Sequence, residues 1–173
     1  MKYAYVKNIL QDLPILLRKE AVDIDEIQSD DNEKISRKKA HDSFAIIQRP
    51  LFVTDTYWSI PALNGFPGAY MKEVNQWLGS GDFLNLMQGK SDRTIVARDV
   101  ITYTDGQSIS LFTIDLKGTL AEVPYSDGPN NIDSILQFDG KYIAEYKENN
   151  LIVPSEMACW NNFKIFLRTE FIS

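Results

Sequence analysis

Apolar positions recur along this chain at two spacings, and the spacing separates helices from strands. Ile9, Leu10, Leu13, Leu16 and Leu17 follow steps of three and four, which predict a helix interrupted or restarted near Pro14. Lys2 to Val6 before it, and Glu20 to Ile24 after it, predict two short strands. Asp30-Asp31-Asn32-Glu33 is rich in N-cap residues, with Asp30 and Glu33 at capping-box spacing, and predicts a helix over 33–48 that Pro50 stops. Leu51-Phe52-Val53 is an apolar run of buried-strand type. The turn Gly65-Phe66-Pro67-Gly68 leads to an amphipathic helix carrying Tyr70, Val74, Trp77 and Leu78, which Gly79 is placed to end.

A short helix is expected from Asp82 to Gln88, then two β-rich segments, Thr94 to Tyr103 and Gln107 to Lys117. Asp105-Gly106 between them is a hairpin signal. Glu156 to Glu170 has helical character. Early alternation of helices and strands with a central hairpin predicts an α/β fold on a mixed sheet. No internal repeat occurs and no linker is long enough to require independent domains, so 1–173 reads as one domain.

Composition narrows the function. A chain of 173 residues, 44% hydrophobic and 24% charged, has enough apolar material for a core. Its 18 Lys and Arg against 24 Asp and Glu give a net charge of −6, without the basic footprint that duplex nucleic acid requires. No nucleic-acid partner is expected. Cys159 is the single cysteine, which excludes an internal disulfide or a CxxC site and suits a reducing, cytoplasmic setting. No apolar run approaches the ~20 residues of a spanning helix, and Met1 to Leu10 lacks a signal peptide's features. The expectation is a soluble, intracellular protein with no membrane partner. His41 is the only histidine, so HExxH and multi-histidine metal sites are excluded, as is any hydrolase triad not built on His41. Gly89-Lys90-Ser91 fails as a phosphate loop because Leu84 stands where that loop needs glycine, and no GxGxxG is present. Carboxylates and lysines must carry any chemistry.

Three such residues stand out. Glu26 follows one predicted strand and Asp55 ends another, so both carboxylates can converge at one sheet edge, where α/β folds commonly bind ligands. Lys39 falls four after Ile35 and seven before Ile46, on a helical face with two apolar side chains. Singly, each has a plainer account: Lys39 snorkels past that face, Asp55 caps a neighbouring turn, and Glu26 is a solvated loop acid.

Together with their surroundings these residues resemble the inosine triphosphate pyrophosphatase (Ham1) family. Asp25-Glu26-Ile27-Gln28 is similar to its "EIQG"-like turn, Lys39 to its helix lysine, Val53-Thr54-Asp55-Thr56 to its "(D/E)D(S/T)" strand end, and Gly65-Phe66-Pro67-Gly68-Ala69-Tyr70 to its "GxPGxY" turn. The likeness continues through Asp92-Arg93, Gly118-Thr119-Leu120, Ile132-Asp133-Ser134 and Asp139-Gly140, and spans about Ile24 to Gly140. The family implies an elongated mixed β-sheet flanked by helices, two lobes with a central cleft, and a homodimer. It implies hydrolysis of a nucleoside triphosphate to the monophosphate and pyrophosphate. Mg²⁺, or alternatively Mn²⁺, would be held by Glu26 and Asp55, with Asp55 and Lys39 catalytic. Lys7, Asn8, Lys39, Thr56 and Asp133 would contact phosphate or nucleotide.

The chain also departs from the family. Its opening strand runs into Val6-Lys7-Asn8-Ile9-Leu10 where the family has a "(T/S)xNxxK" loop, with Lys7 and Asn8 as the remnants. Thr54 replaces the first acid of the pair. Asn130, Asn131 and Ile132 stand where aromatic residues precede the aspartate, and the C-terminal "SHR" has no counterpart near Ser155-Glu156-Met157. These losses keep two further readings open: a nucleotide-binding or regulatory module on the same fold with catalysis impaired, and a structural subunit that binds nothing.

Overall fold

A computed structural model describes the chain except for Met1, Gln28, Asp30, Asn150, Ile152, Val153 and Ser173, and the side chains of Lys2, Pro154, Ser155, Glu156 and Ile172. Its elements are α1 (Lys2–Ile9), α2 (Asn32–Ile47), β1 (Leu51–Ser59), β2 (Pro67–Gly68), α3 (Met71–Trp77), α4 (Ser80–Leu86), β3 (Thr94–Thr104), β4 (Ile109–Leu120), β5 (Leu136–Phe138), β6 (Lys141–Tyr142), α5 (Ile143–Glu148) and α6 (Pro154–Ile172). Short 3-10 turns at Pro61–Leu63 and Ile132–Ser134 complete them. Six strands form one sheet in the order β2-β1-β3-β4-β5-β6, and the pairs β1–β2, β4–β5 and β5–β6 are antiparallel. The α/β fold is as expected.

Two compact units divide the chain: Met1–Asp55, Val100–Ile114 and Glu156–Ser173 form the first, Thr56–Asp99 and Asp115–Ser155 the second. In the first, Phe163 is fully buried among Val6, Leu10, Leu13, Ile101, Tyr103, Trp160 and Leu167. The Phe52 ring meets it edge-on at 5.0 Å. In the second, Ile95, Ala97, Leu120 and Phe138 of the sheet pack with Met71 and Val74 of α3, Phe83 of α4 and Ile143 of α5.

The β3–β4 hairpin forms as its Asp-Gly signal predicts. Asp105 Oδ1 accepts from the backbone N–H of Gln107 and of Ser108, both at 2.8 Å, and Gly106 takes φ +91°. Asp139-Gly140 similarly joins β5 to β6, both residues at positive φ. α2 starts one residue before the predicted helix, with Asp31 as N-cap accepting from Lys34 N–H at 3.1 Å. Asp30, the expected cap, lies outside the described residues.

The N-terminal prediction fails. Lys2 to Val6 is helical, and the expected helix over Ile9 to Leu17 ends at Ile9 and passes through turns to Pro14. The buried residues there are Val6, Leu10 and Leu13, at steps of four and three, so a helical stripe and not a two-faced strand meets the core. Leu16 is 79% exposed. Glu20 to Ile24 forms no strand, although Val22 and Ile24 are part-buried between exposed neighbours; Glu20 instead forms an ion pair with Arg49 at 3.3 Å. Gly79 does not end α3; Leu78 does, and Gly79 N-caps α4 by donating its N–H to Asp82 Oδ2 at 2.8 Å. Of the expected apolar stripe on α3, Val74 is buried and Leu78 packs against the core, but Tyr70 and Trp77 are exposed, Trp77 to 74%, and Met71 is buried in their stead. Sequence reading missed α5, β5 and β6, which are too short to show a period. Among the described residues no helix is long and apolar enough to cross a membrane.

Candidate active site

The first unit assembles three of the expected residues. α2 buries Ile35, Ser36, Ala40 and Ser43, a face of mostly small side chains that lets it lie close to its support, and Ser36 Oγ meets Thr102 Oγ1 of β3 at 2.7 Å in a buried hydroxyl pair. That packing fixes the rotation of α2 and with it Lys39, four residues after Ile35. β1 delivers Asp55, and the irregular segment after Pro14 delivers Glu26. Lys39 Nζ stands 2.8 Å from Asp55 Oδ1 and 2.9 Å from Glu26 Oε1. The side chains of Lys39 and Asp55 are 23% and 21% exposed, and that of Glu26 is half-exposed. Ile46, expected on the same face, is itself exposed; Lys39 is aligned by Ile35 and Ser36 instead.

One ammonium therefore bridges two carboxylates that are 29 residues apart in sequence (55 − 26). Burial, the largest single influence on Lys39, works to lower its pKa. Hydrogen bonds to Asp55 and then Glu26 outweigh it, and the pKa lies above the ordinary lysine value. Lys39 is thus a fixed cation at neutral pH, not a proton donor or base. A charge-assisted contact on each side orients the acids toward one point.

The remaining candidates lie elsewhere. Lys7 and Asn8 sit on the exposed surface of α1, a helix in place of the expected strand. Thr56 opens the second unit, and its hydroxyl donates to Asp99 Oδ1 at 2.7 Å. With that proton committed to a carboxylate, the Thr56 oxygen has only lone pairs left to offer. Asp133 forms an ion pair with Lys147, and its N–H donates to Asn131 Oδ1 at 2.9 Å. Arg93 donates to the backbone carbonyls of Leu120 at 2.5 Å and Ala121 at 2.8 Å, which makes it a fastener of the sheet. The GFPG turn returns as β2 along β1, pairing Gly68 with Trp58 and Pro67 with Ser59. Gln28 of the "EIQG"-like turn and the side chains of Ser155 and Glu156 lie outside the described residues.

Sequence reading missed Asp99. It is a buried acid on β3, and its sign was legible: a carboxylate in the otherwise apolar alternation of Ile95, Ala97 and Ile101. It also missed the Tyr125–Tyr142 pair, whose ring centroids lie 5.5 Å apart. Tyr125 N–H donates to Ser134 O at 2.7 Å, so the pair flanks the Asp133 segment, where no aromatic was expected.

Fold and site define an α/β protein whose helix lysine joins a strand-end aspartate to a loop glutamate. The Ham1 family model matches residues 1–152, and the chain belongs to that family. It is 36% identical over 121 residues to a dITP/XTP pyrophosphatase of Saccharolobus solfataricus, an alignment spanning 70% of this chain and 63% of that protein's length. It is 30% identical over 169 residues to a dITP/XTP pyrophosphatase of Methanosarcina mazei, covering 96% and 92% of the two chains. Among solved structures, a HAM1 protein from Coxiella burnetii superposes with a TM-score of 0.81 at 19% identity, covering 97% of this chain and 93% of that one, which establishes the shared fold.

Proposed function

We propose that this protein hydrolyses nucleoside triphosphates to the monophosphate and pyrophosphate. The observation that carries the reading is the Lys39 bridge between Glu26 and Asp55 in a chain of the Ham1 family. Relatives named as dITP/XTP and inosine triphosphate pyrophosphatases support the reaction class.

Two carboxylate oxygens converging on one cation are the hard donors that suit Mg²⁺ or Mn²⁺. Among the described residues no cluster of three or more His, Cys, Asp or Glu gathers into an all-protein cage. The donor set therefore fits an ion that keeps part of its water and shares substrate phosphates, with Glu26 and Asp55 as its protein ligands. Such an ion supplies charge neutralisation on the phosphate oxygens when bound. Asp55, part-buried and fixed by β1, also accepts the proton of the attacking water. Lys39 holds positive charge beside the phosphates, attracting them in the bound substrate as well as in the transition state. We further assign the protein to the cytoplasm, on its single buried thiol Cys159, and a homodimeric state, checked by light scattering.

Product analysis tests the reaction. Incubation with Mg²⁺ and a panel of nucleoside triphosphates is expected to release pyrophosphate and accumulate monophosphate. Stepwise orthophosphate with accumulating diphosphate would exclude cleavage at the α-phosphorus. A second reading, a nucleotide-binding module without turnover, is favoured by one observation: Lys7 and Asn8 lie on an exposed helix where the family has its phosphate loop. Metal-dependent triphosphate binding without any product would select it.

A further inference from the structure

This inference rests on the reading above and deepens it. We propose that Lys39 and the divalent ion compete for the same two carboxylates, so that the ion's arrival displaces the lysine and turns its ammonium from protein acids to substrate phosphates.

The geometry supplies the first ground. Lys39 Nζ lies within 3 Å of one oxygen from each acid the site brings together, at 2.8 Å from Asp55 and 2.9 Å from Glu26. A divalent ion held by those oxygens would sit within a few ångströms of the ammonium. Repulsion between a double and a single positive charge at such a distance amounts to about 2 kcal/mol even in water and more in a part-buried site. The observed bridge and a metal bound to the same oxygens are therefore alternatives.

Charge and reach supply the second. Two carboxylates roughly balance one divalent ion, and Lys39 then leaves the site one positive charge in excess. An anionic phosphate removes that excess, and a lysine has the rotatable four-carbon stem needed to follow it. Metal alone should bind weakly, and metal with phosphate should bind with positive coupling. Lys39 thus has two successive roles, holding the acids apart from stray cations and then receiving the phosphates.

The test is a titration of the full chain with Mn²⁺ alone, following free Mn²⁺ by its electron paramagnetic resonance signal. Lys39→Met is expected to bind Mn²⁺ about tenfold tighter than wild type, or more, because a competitor has been removed. Lys39→Arg, which keeps the charge, is expected to stay near wild type. Adding Asp55→Asn to Lys39→Met should abolish the gain, and Lys39→Gln replaces Lys39→Met if circular dichroism shows the latter unfolded. Binding by Lys39→Met that is no tighter than wild type would overturn the proposal, as would a gain that survives Asp55→Asn. Pyrophosphate release by the wild type is read separately. Turnover without tightening spares the enzymatic reading and sinks the exchange; tightening without turnover does the reverse.

Discussion

Asp55 is the residue on which the proposed chemistry turns, because it alone among the acids of the site is both part-buried and held by a strand. Asp55→Asn keeps the size and removes the charge. Turnover is expected to fall at least about a hundredfold with secondary structure unchanged. Full activity in a folded variant would remove Asp55 from the mechanism. Lys39→Ala should mainly raise the concentration of nucleotide required, read as a larger effect on KM than on kcat. A different carboxylate offers a purely structural experiment. Asp12 receives Lys164 Nζ at 2.6 Å and is also paired with Arg168, and these α6 partners, Lys164 foremost, hold its pKa down to about 2. Its ordinary value is about 3.9, so the folded state is the weaker proton binder. The stabilisation is complete above about pH 4 and is lost as pH falls through about 2. The melting-temperature gap between wild type and Asp12→Asn should therefore be largest near neutrality, shrink below about pH 4, and shrink in molar salt because the pair is exposed. A gap that ignores both pH and salt would assign the effect to something other than charge.

The β3–β4 hairpin shows how one position couples two elements. Gly106 has φ +91°, and a Cβ there would lie 2.2 Å from Phe44 Cζ of α2. Gly106→Ala thus meets backbone strain and a ring that must move. A loss of about 2 kcal/mol or more is expected, measurable as a lower denaturation midpoint. A neutral result would mean that α2 shifts without cost, and the Lys39 bridge would then be less firmly held than its hydrogen bonds imply. The α1 segment carries the opposite lesson. Val6, Leu10 and Leu13 fit a helical stripe as well as Lys2 to Val6 fits a strand, and packing with Trp160, Phe163 and Leu167 of α6 decides between them. That choice also places Lys7 and Asn8 on a helix surface.

At the scale of the whole molecule, substrate selectivity is the open quantity. Phosphate contacts are common to all nucleotides and reject no base. The residues available for replacement base reading, Asn130 and Asn131, use their side-chain oxygens as caps: Asn130 Oδ1 accepts from Ser80 N–H at 3.1 Å, and Asn131 Oδ1 from Asp133 N–H. Each retains an NH₂ group but cannot both donate to and accept from a base with full freedom. Discrimination between inosine, xanthosine, guanosine, adenosine and pyrimidine triphosphates is expected to stay below about a thousandfold in kcat/KM. A larger preference would show that a polar base pocket exists, and the Tyr125–Tyr142 segment would be the first place to seek it.

Legible in the sequence were the α/β class, the central hairpin, helices α2 and α6 nearly to their ends, and Glu26, Lys39 and Asp55 as candidates, which the fold brings into contact. Those features rest on local rules: a period of 3.6 or 2, a capping acid, an Asp-Gly turn, and motif spacing inside the Ham1 resemblance. Only folding in three dimensions settled that Lys2 to Val6 is helical and that Glu20 to Ile24 joins no sheet. It also decided that Lys39 reaches both acids at once and that Thr56 surrenders its proton to Asp99. Each of those outcomes depends on what lies across space. A short apolar segment takes the conformation that buries its stripe, and a polar side chain takes the partner that folding brings within about 3 Å, neither of which is written in the neighbouring residues.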